Sequence, residues 1–189
     1  MLRRVFVVPP RPDLEPEVVR RHWEQRHAVL FRGTPGLRHY RQNRPVTAQW
    51  ADGTARFCSE TWYADRESER RAYVSGFYRT TVTPDEASFL QRSAAWSAVV
   101  LTGAHDAGRE GLRLLWFDAS PPRGPVWHEL RLDRPVPAPG VGRSLHVAEV
   151  EDAEHALALL GGTRSVALLC RAVSCDPARA TAQPGNVVT

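Results

Sequence analysis

A chain of 189 residues with 42% hydrophobic content fits one large domain or two small ones of ordinary globular composition. All 25 basic residues are arginine, set against 21 acids for a net charge of +4. The absence of lysine excludes a Schiff-base lysine, lysine-linked pyridoxal phosphate and a P-loop lysine, and the mild, scattered charge argues against nucleic-acid binding.

No apolar run approaches the roughly 18 residues of a membrane helix, so no membrane partner is expected. The opening MLRRVFVVPPRPD is too short in its apolar core for a signal peptide, which predicts a cytoplasmic protein. Cys58, Cys170 and Cys175 form no C-x-x-C, and their odd number argues against a disulfide framework or a cysteine zinc site. Cys58 and Cys170 lie in strand-like runs and read as small buried hydrophobes.

Arg4 to Val8 (RVFVV) is β-branched and closed by Pro9-Pro10, which predicts a first strand. Pro16, with Glu15 and Glu17 beside it, opens a helix that runs to about Phe31 or Arg32, ahead of Gly33 and Pro35. Its apolar stripe is Val19, Trp23, His27, Leu30 and Phe31, with His22 about 140° away and expected in solvent. Gly36 opens a second strand, Leu37 to Arg44, in which neither face is plainly apolar. Leu37, His39, Arg41 and Asn43 alternate with Arg38, Tyr40 and Gln42. Such a strand lines a cavity or an interface, or lies at an edge.

After a loop at 45–54, Arg56 to Tyr63 is a third strand that places Cys58, Glu60 and Trp62 on one face. A helix from Asp65, its N-cap, to Gly76 and another from Pro84 to Gln91, capped by Thr83, precede a fourth strand, Ala94 to Thr102. The order β-α-β-β-α-β over residues 1–103 is ferredoxin-like, an α+β class with helices on one face of the sheet.

A linker at 104–111 leads to strands at Leu112 to Phe117, Val126 to Leu132 and Ser144 to Val150, a helix at Glu151 to Leu160 and a strand at Ser165 to Val173. This is the same order with its first helix missing, and residues 111–175 read as a degenerate ferredoxin-like repeat. Aligning the two late helices places His146 over Glu60. Residues 176–189 form a tail without periodicity. Two such sheets can face each other in an α/β barrel, either within one chain or across a homodimer.

Four stretches together resemble the EthD family of the dimeric α/β-barrel superfamily. They are His22-Trp23-x3-His27-Ala28-x-Leu30, Pro35-Gly36-Leu37-Arg38-x-Tyr40-x-Gln42-Asn43, Glu60-x-Trp62-Tyr63 and Asp85-Glu86-x2-Phe89-Leu90. The resemblance covers about residues 3–103; beyond that only the element order continues. Ala28 stands where the family often has glycine, and Pro-Pro-Arg-Pro follows the first strand where it often has a basic pair. The resemblance implies a ligand cavity between sheet and helices. The wider superfamily is similar to cofactor-free polyketide cyclases and quinone-forming monooxygenases, with haem-binding branches.

On that footing the expected substrate is a flat, oxygenated, aromatic or polyketide-like molecule, and the expected reaction is cyclisation or dehydration through an enol. His27 would be the base and Glu60, with a raised pKa, its acid partner. Tyr40 and Asn43 would bind carbonyls, and Trp23, Trp62 and His146 would line the substrate. Cofactor-free oxygenation and a non-catalytic, ligand-holding role are the rivals. No metal is expected, because no H-x3-H, H-E-x-x-H or carboxylate triad occurs. No G-x-G-x-x-G follows a strand, so no nucleotide cofactor is expected. An axial haem histidine needs no motif, so haem stays open.

Overall fold

The computed structural model describes residues 1–46, 55–102, 110–117, 121–123, 125–136, 143–160 and 167–175. The tail from Asp176, most of the 104–111 linker and residues 47–54 of the long loop lie outside them. The described strands are β1 (Leu2–Val8), β2 (Leu37–Pro45), β3 (Phe57–Tyr63), β4 (Trp96–Thr102), β5 (Gly111–Trp116), β6 (His128–Leu132), β7 (Ser144–Glu149) and β8 (Ala167–Ser174). They form one closed barrel in the order β1-β3-β2-β8-β5-β7-β6-β4, each seam antiparallel. Closure occurs within the chain. Strands from the two halves are joined along β2·β8 and β4·β6.

Strand alternation decides what fills the barrel. Val5, Val7, Cys58, Ala98, Leu115, Leu130, Leu132, Leu145, Val147, Leu168 and Cys170 point inward as one buried cluster. At one end of this core the inward positions are charged: Arg3, Arg41, Glu60 and Arg113 are all at most 1% exposed. Helices cover the outside. Val19 and Trp23 pack with Phe57 of β3 and Phe89, while Ala156 of α5 (Ala153–Leu160) packs on Leu114, Ala148 and Leu169.

The first helix is continuous but not uniform. α1 (Pro16–Arg21) passes into a π-helical stretch (His22–His27) and then into α2 (Ala28–Arg32). Its larger buried side chains, Val19, Trp23, His27 and Phe31, recur every fourth position, with Ala28 buried beside them. On a 3.6-residue helix that spacing drifts by about 40° at each step. The wider π turn takes up the drift and holds all four against the sheet. The turn also corrects the expectation for His22: in a π-helix residues i and i+5 share a side, so His22 faces the same way as His27.

α3 (Arg66–Val74) begins as expected, with Asp65 Oδ1 accepting the Ser68 amide at 2.7 Å. A second π-helical stretch (Tyr78–Val82) then runs straight into α4 (Thr83–Phe89). Thr83 is therefore inside a helix and makes no side-chain cap. The end of α4 is tied to the exit of β1, where the Gln91 amide donates to the Pro9 carbonyl at 3.0 Å and the Arg11 amide to that of Phe89 at 2.9 Å. This tie sets α4 beside the π stretch of the first helix.

Candidate functional site between helix and sheet

The candidate site is built where α4 meets the π turn. Asp85, in the first turn of α4, lies 2.9 Å from His27 Nδ1 through Oδ2 and 2.8 Å from His22 Nε2 through Oδ1. Burial on its own would raise the Asp85 pKa, but the hydrogen bonds from His27 and His22 outweigh it and hold the carboxyl below its ordinary value. An ionised carboxylate only accepts, so both imidazole nitrogens that meet it carry the proton. Neutral His27 therefore has its lone pair on Nε2, which makes no hydrogen bond among the described residues. The His27 ring lies 5.5 Å from that of Phe31 and 5.2 Å from that of Phe89.

His27 borders a cavity of about 40 Å³ between helices and sheet, walled also by Trp23, Phe31, Tyr73, Tyr78 and Glu86. Burial pushes the Glu86 carboxyl up, opposed in part by His27, Tyr78 and Arg92. Tyr78 donates its hydroxyl to Glu86 Oε1 at 3.0 Å, and Arg92 Nε lies 3.6 Å from Oε2. An imidazole with its tautomer fixed and a carboxyl whose pKa is raised by burial thus face one aromatic space. That is an acid–base arrangement.

The sequence-predicted residues divide between the two sides of the sheet. Trp23 joins His27 in the cavity wall and stacks on Phe57 at 4.6 Å. Tyr40 is on the same side, buried against Phe31 at 4.6 Å. Burial pushes its phenol well up, so it stays a neutral donor.

Glu60, Asn43 and Trp62 face the barrel interior instead. Arg3 donates to Glu60 Oε2 through Nε at 2.7 Å and also through Nη2. Asn43 Nδ2 donates to Oε1 at 3.0 Å, and Arg41 Nη1 lies 3.5 Å from it. The guanidinium carbons of Arg3 and Arg41 sit 5.2 and 5.1 Å from the centroid of the Trp62 ring. Burial alone would raise the Glu60 pKa, but Arg3 and Arg41 outweigh it and hold the carboxyl at about 2. The expected raised pKa is corrected: Glu60 is an anion at neutral pH on the opposite side of the sheet from His27, and the two cannot share a proton.

His146 is also displaced from its expected place. Leu145 and Val147 of β7 point into the barrel, so His146 points out and does not take the interior position of Glu60. Its neighbour across the ladder is Trp116, and its Nε2 is buried without a hydrogen-bond partner among the described residues. Asp85 and Glu86, which sequence reasoning gave no chemical role, complete the constellation. Their only signal was the acidic pair ahead of Phe89-Leu90.

Among the described residues no helix is long and apolar enough to cross a membrane, and no group of three or more histidine, cysteine, aspartate or glutamate residues is placed to hold a metal. No curated protein matches the chain. Similar solved structures include the following three. One is an ethyl tert-butyl ether degradation (EthD) family protein from Bacillus halodurans C-125, with 23% identity over 52% of this chain and 96% of that one and a TM-score of 0.42. Another is an anthrone oxidase-like protein, with 10% identity over 92% of this chain and 93% of that one and a TM-score of 0.57. The third is a putative chlorite dismutase, with 10% identity over 93% and 96% and a TM-score of 0.46. The likeness to the anthrone oxidase-like structure extends the shared α+β fold to both halves of the chain. Residues 11–93, which hold His22, His27, Tyr78, Asp85 and Glu86, match the EthD domain family.

Proposed function

We propose that the protein is a cofactor-independent enzyme that moves a proton on an enolisable aromatic, polyketide-like ketone, leading to cyclisation or dehydration. The observation that supports this most is the Asp85–His27 pair opening on an aromatic cavity that also contains Glu86. His27 Nε2 accepts the carbon-bound proton, and Asp85 stabilises the imidazolium that results. Glu86, whose carboxyl burial pushes up, is the group placed to donate to the developing enolate oxygen, and Tyr78 steadies its carboxyl. Glu86 replaces Glu60 as the acid in this reading. Trp23 and Phe31 supply flat apolar walls, and Tyr40 lies behind Phe31.

The second half acts as the other portion of the barrel and contributes no group to this chemistry. In this reading residues 111–175 are a degenerate repeat, and closure of the barrel needs no partner chain.

The test uses anthrone as an enolisable probe in heavy water, with deuterium uptake at its methylene carbon followed by NMR. General acid–base catalysis typically contributes about 10²–10⁴-fold. His27→Gln is therefore expected to slow enzyme-dependent exchange by at least about a hundredfold. Exchange at the wild-type rate in that variant refutes the reading, and anthrone bound without any exchange identifies a holding protein instead.

A second reading is oxygenation, favoured by the shared fold of the anthrone oxidase-like structure. The same enolate would react with dioxygen, giving the quinone and water: anthrone plus O₂ yields anthraquinone plus H₂O. Retention of one atom of ¹⁸O₂ in anthraquinone, dependent on His27, distinguishes it.

A further inference from the structure

The cavity beside His27 is too small for the substrate proposed for it: about 40 Å³ accommodates water rather than a polycycle. A much larger space adjoins it. An open cleft of about 710 Å³ shares Phe6, Tyr73 and Tyr78 with the cavity as common walls, so aromatic rings form the floor on one side and the partition on the other.

The rim of this cleft is basic. Arg4, Arg66, Arg70 and Arg92 line it, against Glu69. Two of these charges are matched by bidentate pairs. Arg4 makes a bidentate pair with Glu69 at 2.7 and 2.8 Å, and Arg70 makes one with Glu67 at 2.9 and 2.8 Å. Arg66, exposed at the start of α3, forms no ion pair among the described residues. Arg92 pairs with Glu86 at 3.6 Å, too long for a hydrogen bond. One guanidinium unpaired among the described residues, Arg66, and one loosely paired guanidinium, Arg92, thus line the same aromatic cleft and can meet an anion there.

We propose that this cleft is the outer part of the substrate site and that the substrate is an aromatic carboxylate. Its carboxylate is held by Arg66 and Arg92, and its ring lies on Phe6 and Tyr73 with one edge directed past Tyr78 towards His27. This deepens the proton-transfer reading and rests on it for the direction in which the ring points. A planar, forked guanidinium matches a carboxylate with two parallel hydrogen bonds. Displacement of Tyr73 and Tyr78, which wall both spaces, would join cleft and cavity.

The test is calorimetric titration with anthraquinone-2-carboxylate and its neutral analogue anthraquinone-2-carboxamide, neither of which can enolise. The wild-type protein should bind the carboxylate at least about tenfold more tightly, the expectation for charge-assisted pairing. The double variant Arg66→Gln, Arg92→Gln should lose that preference while its affinity for the carboxamide stays unchanged. Both arginines are exposed, and a melting curve equal to wild type confirms that the variant folds. Equal affinity of the wild type for the two probes, binding of neither, or a preference that survives in the double variant each overturn the proposal. The carboxylate preference with no exchange on anthrone would leave the arginine cleft standing and remove the proton-transfer function. Exchange without the preference would do the reverse.

Discussion

Replacing Glu60 by glutamine keeps the shape of the side chain and removes the carboxylate that Arg3, Arg41 and Asn43 converge on inside the barrel. A carboxyl held at about 2 instead of its ordinary 4.5 favours the folded state by about 3 kcal/mol once ionised. Removing one partner of a buried pair typically costs about 3–5 kcal/mol, because the remaining charge is stranded. For a chain of this length each kcal/mol moves the melting temperature by about 2–4 °C. Glu60→Gln should therefore melt roughly 10 °C below wild type at pH 7.

The dependence on pH identifies the cause. The folded pKa lies below the unfolded one, so the stabilisation is complete above about pH 4.5 and is lost as the pH falls towards 2. The gap between variant and wild type, measured by thermal melts across that window, should close on the acid side. Deuterium exchange on anthrone should persist in the variant below its melting point. A gap under about 2 °C at pH 7, or one that does not narrow in acid, refutes the account of the interior charges. Loss of exchange in a folded variant refutes the assignment of Glu60 to structure alone.

Other outcomes follow from the same geometry. In ¹⁵N spectra, neutral His27 should appear as the Nδ1–H tautomer and should lose that preference in Asp85→Asn; an Nε2–H tautomer in the wild type would remove the base from the proposed reaction. Glu86→Gln should raise the melting temperature at pH 8 while slowing exchange. A carboxyl whose folded pKa is raised loses stability as pH climbs through it, and the amide is free of that loss. Gly36→Ala should lower stability by about 1 kcal/mol, read by denaturant titration, since Gly36 has φ of 78° at the entry to β2. Cys58, Cys170 and Cys175 are buried, and burial pushes each thiol up, so a disulfide reagent should label them only at the rate of unfolding.

The order of strands and helices in residues 1–103 is legible because its signals are local: β-branched runs, Pro16, the Asp65 cap and the glycine stops. The orientation of β2 is not, because both of its faces are polar for different reasons. Arg41 and Asn43 meet Glu60 inside the barrel and His39 lies beside Trp62, whereas Tyr40 and Gln42 lie under a helix, where Gln42 donates to the Trp23 carbonyl at 2.6 Å. A register shift between Leu37 and His39 also breaks the alternation on which a parity argument depends. The same ambiguity separates Glu60 from His27, since period two groups Glu60 with Cys58 and Trp62 but does not say which side those three face. The constellation on α4 was hidden for another reason. Asp85 and Glu86 near a helix start read as a dipole pair, and only packing against a π turn, which leaves no periodic mark, turns them towards histidines.

Closure of the sheet ties the two halves together for solubility as well as shape. Cut apart at the linker, residues 1–103 would present the inner face of β1 to β4, with Val5, Val7, Cys58 and Ala98 beside three charged side chains, and two strand edges with unmade hydrogen bonds. The segment that contains the whole proposed chemistry would then be a sticky fragment. The half that contributes no reacting group is what allows the other half to exist at concentration, and its loss would be felt first as aggregation rather than as a slower reaction.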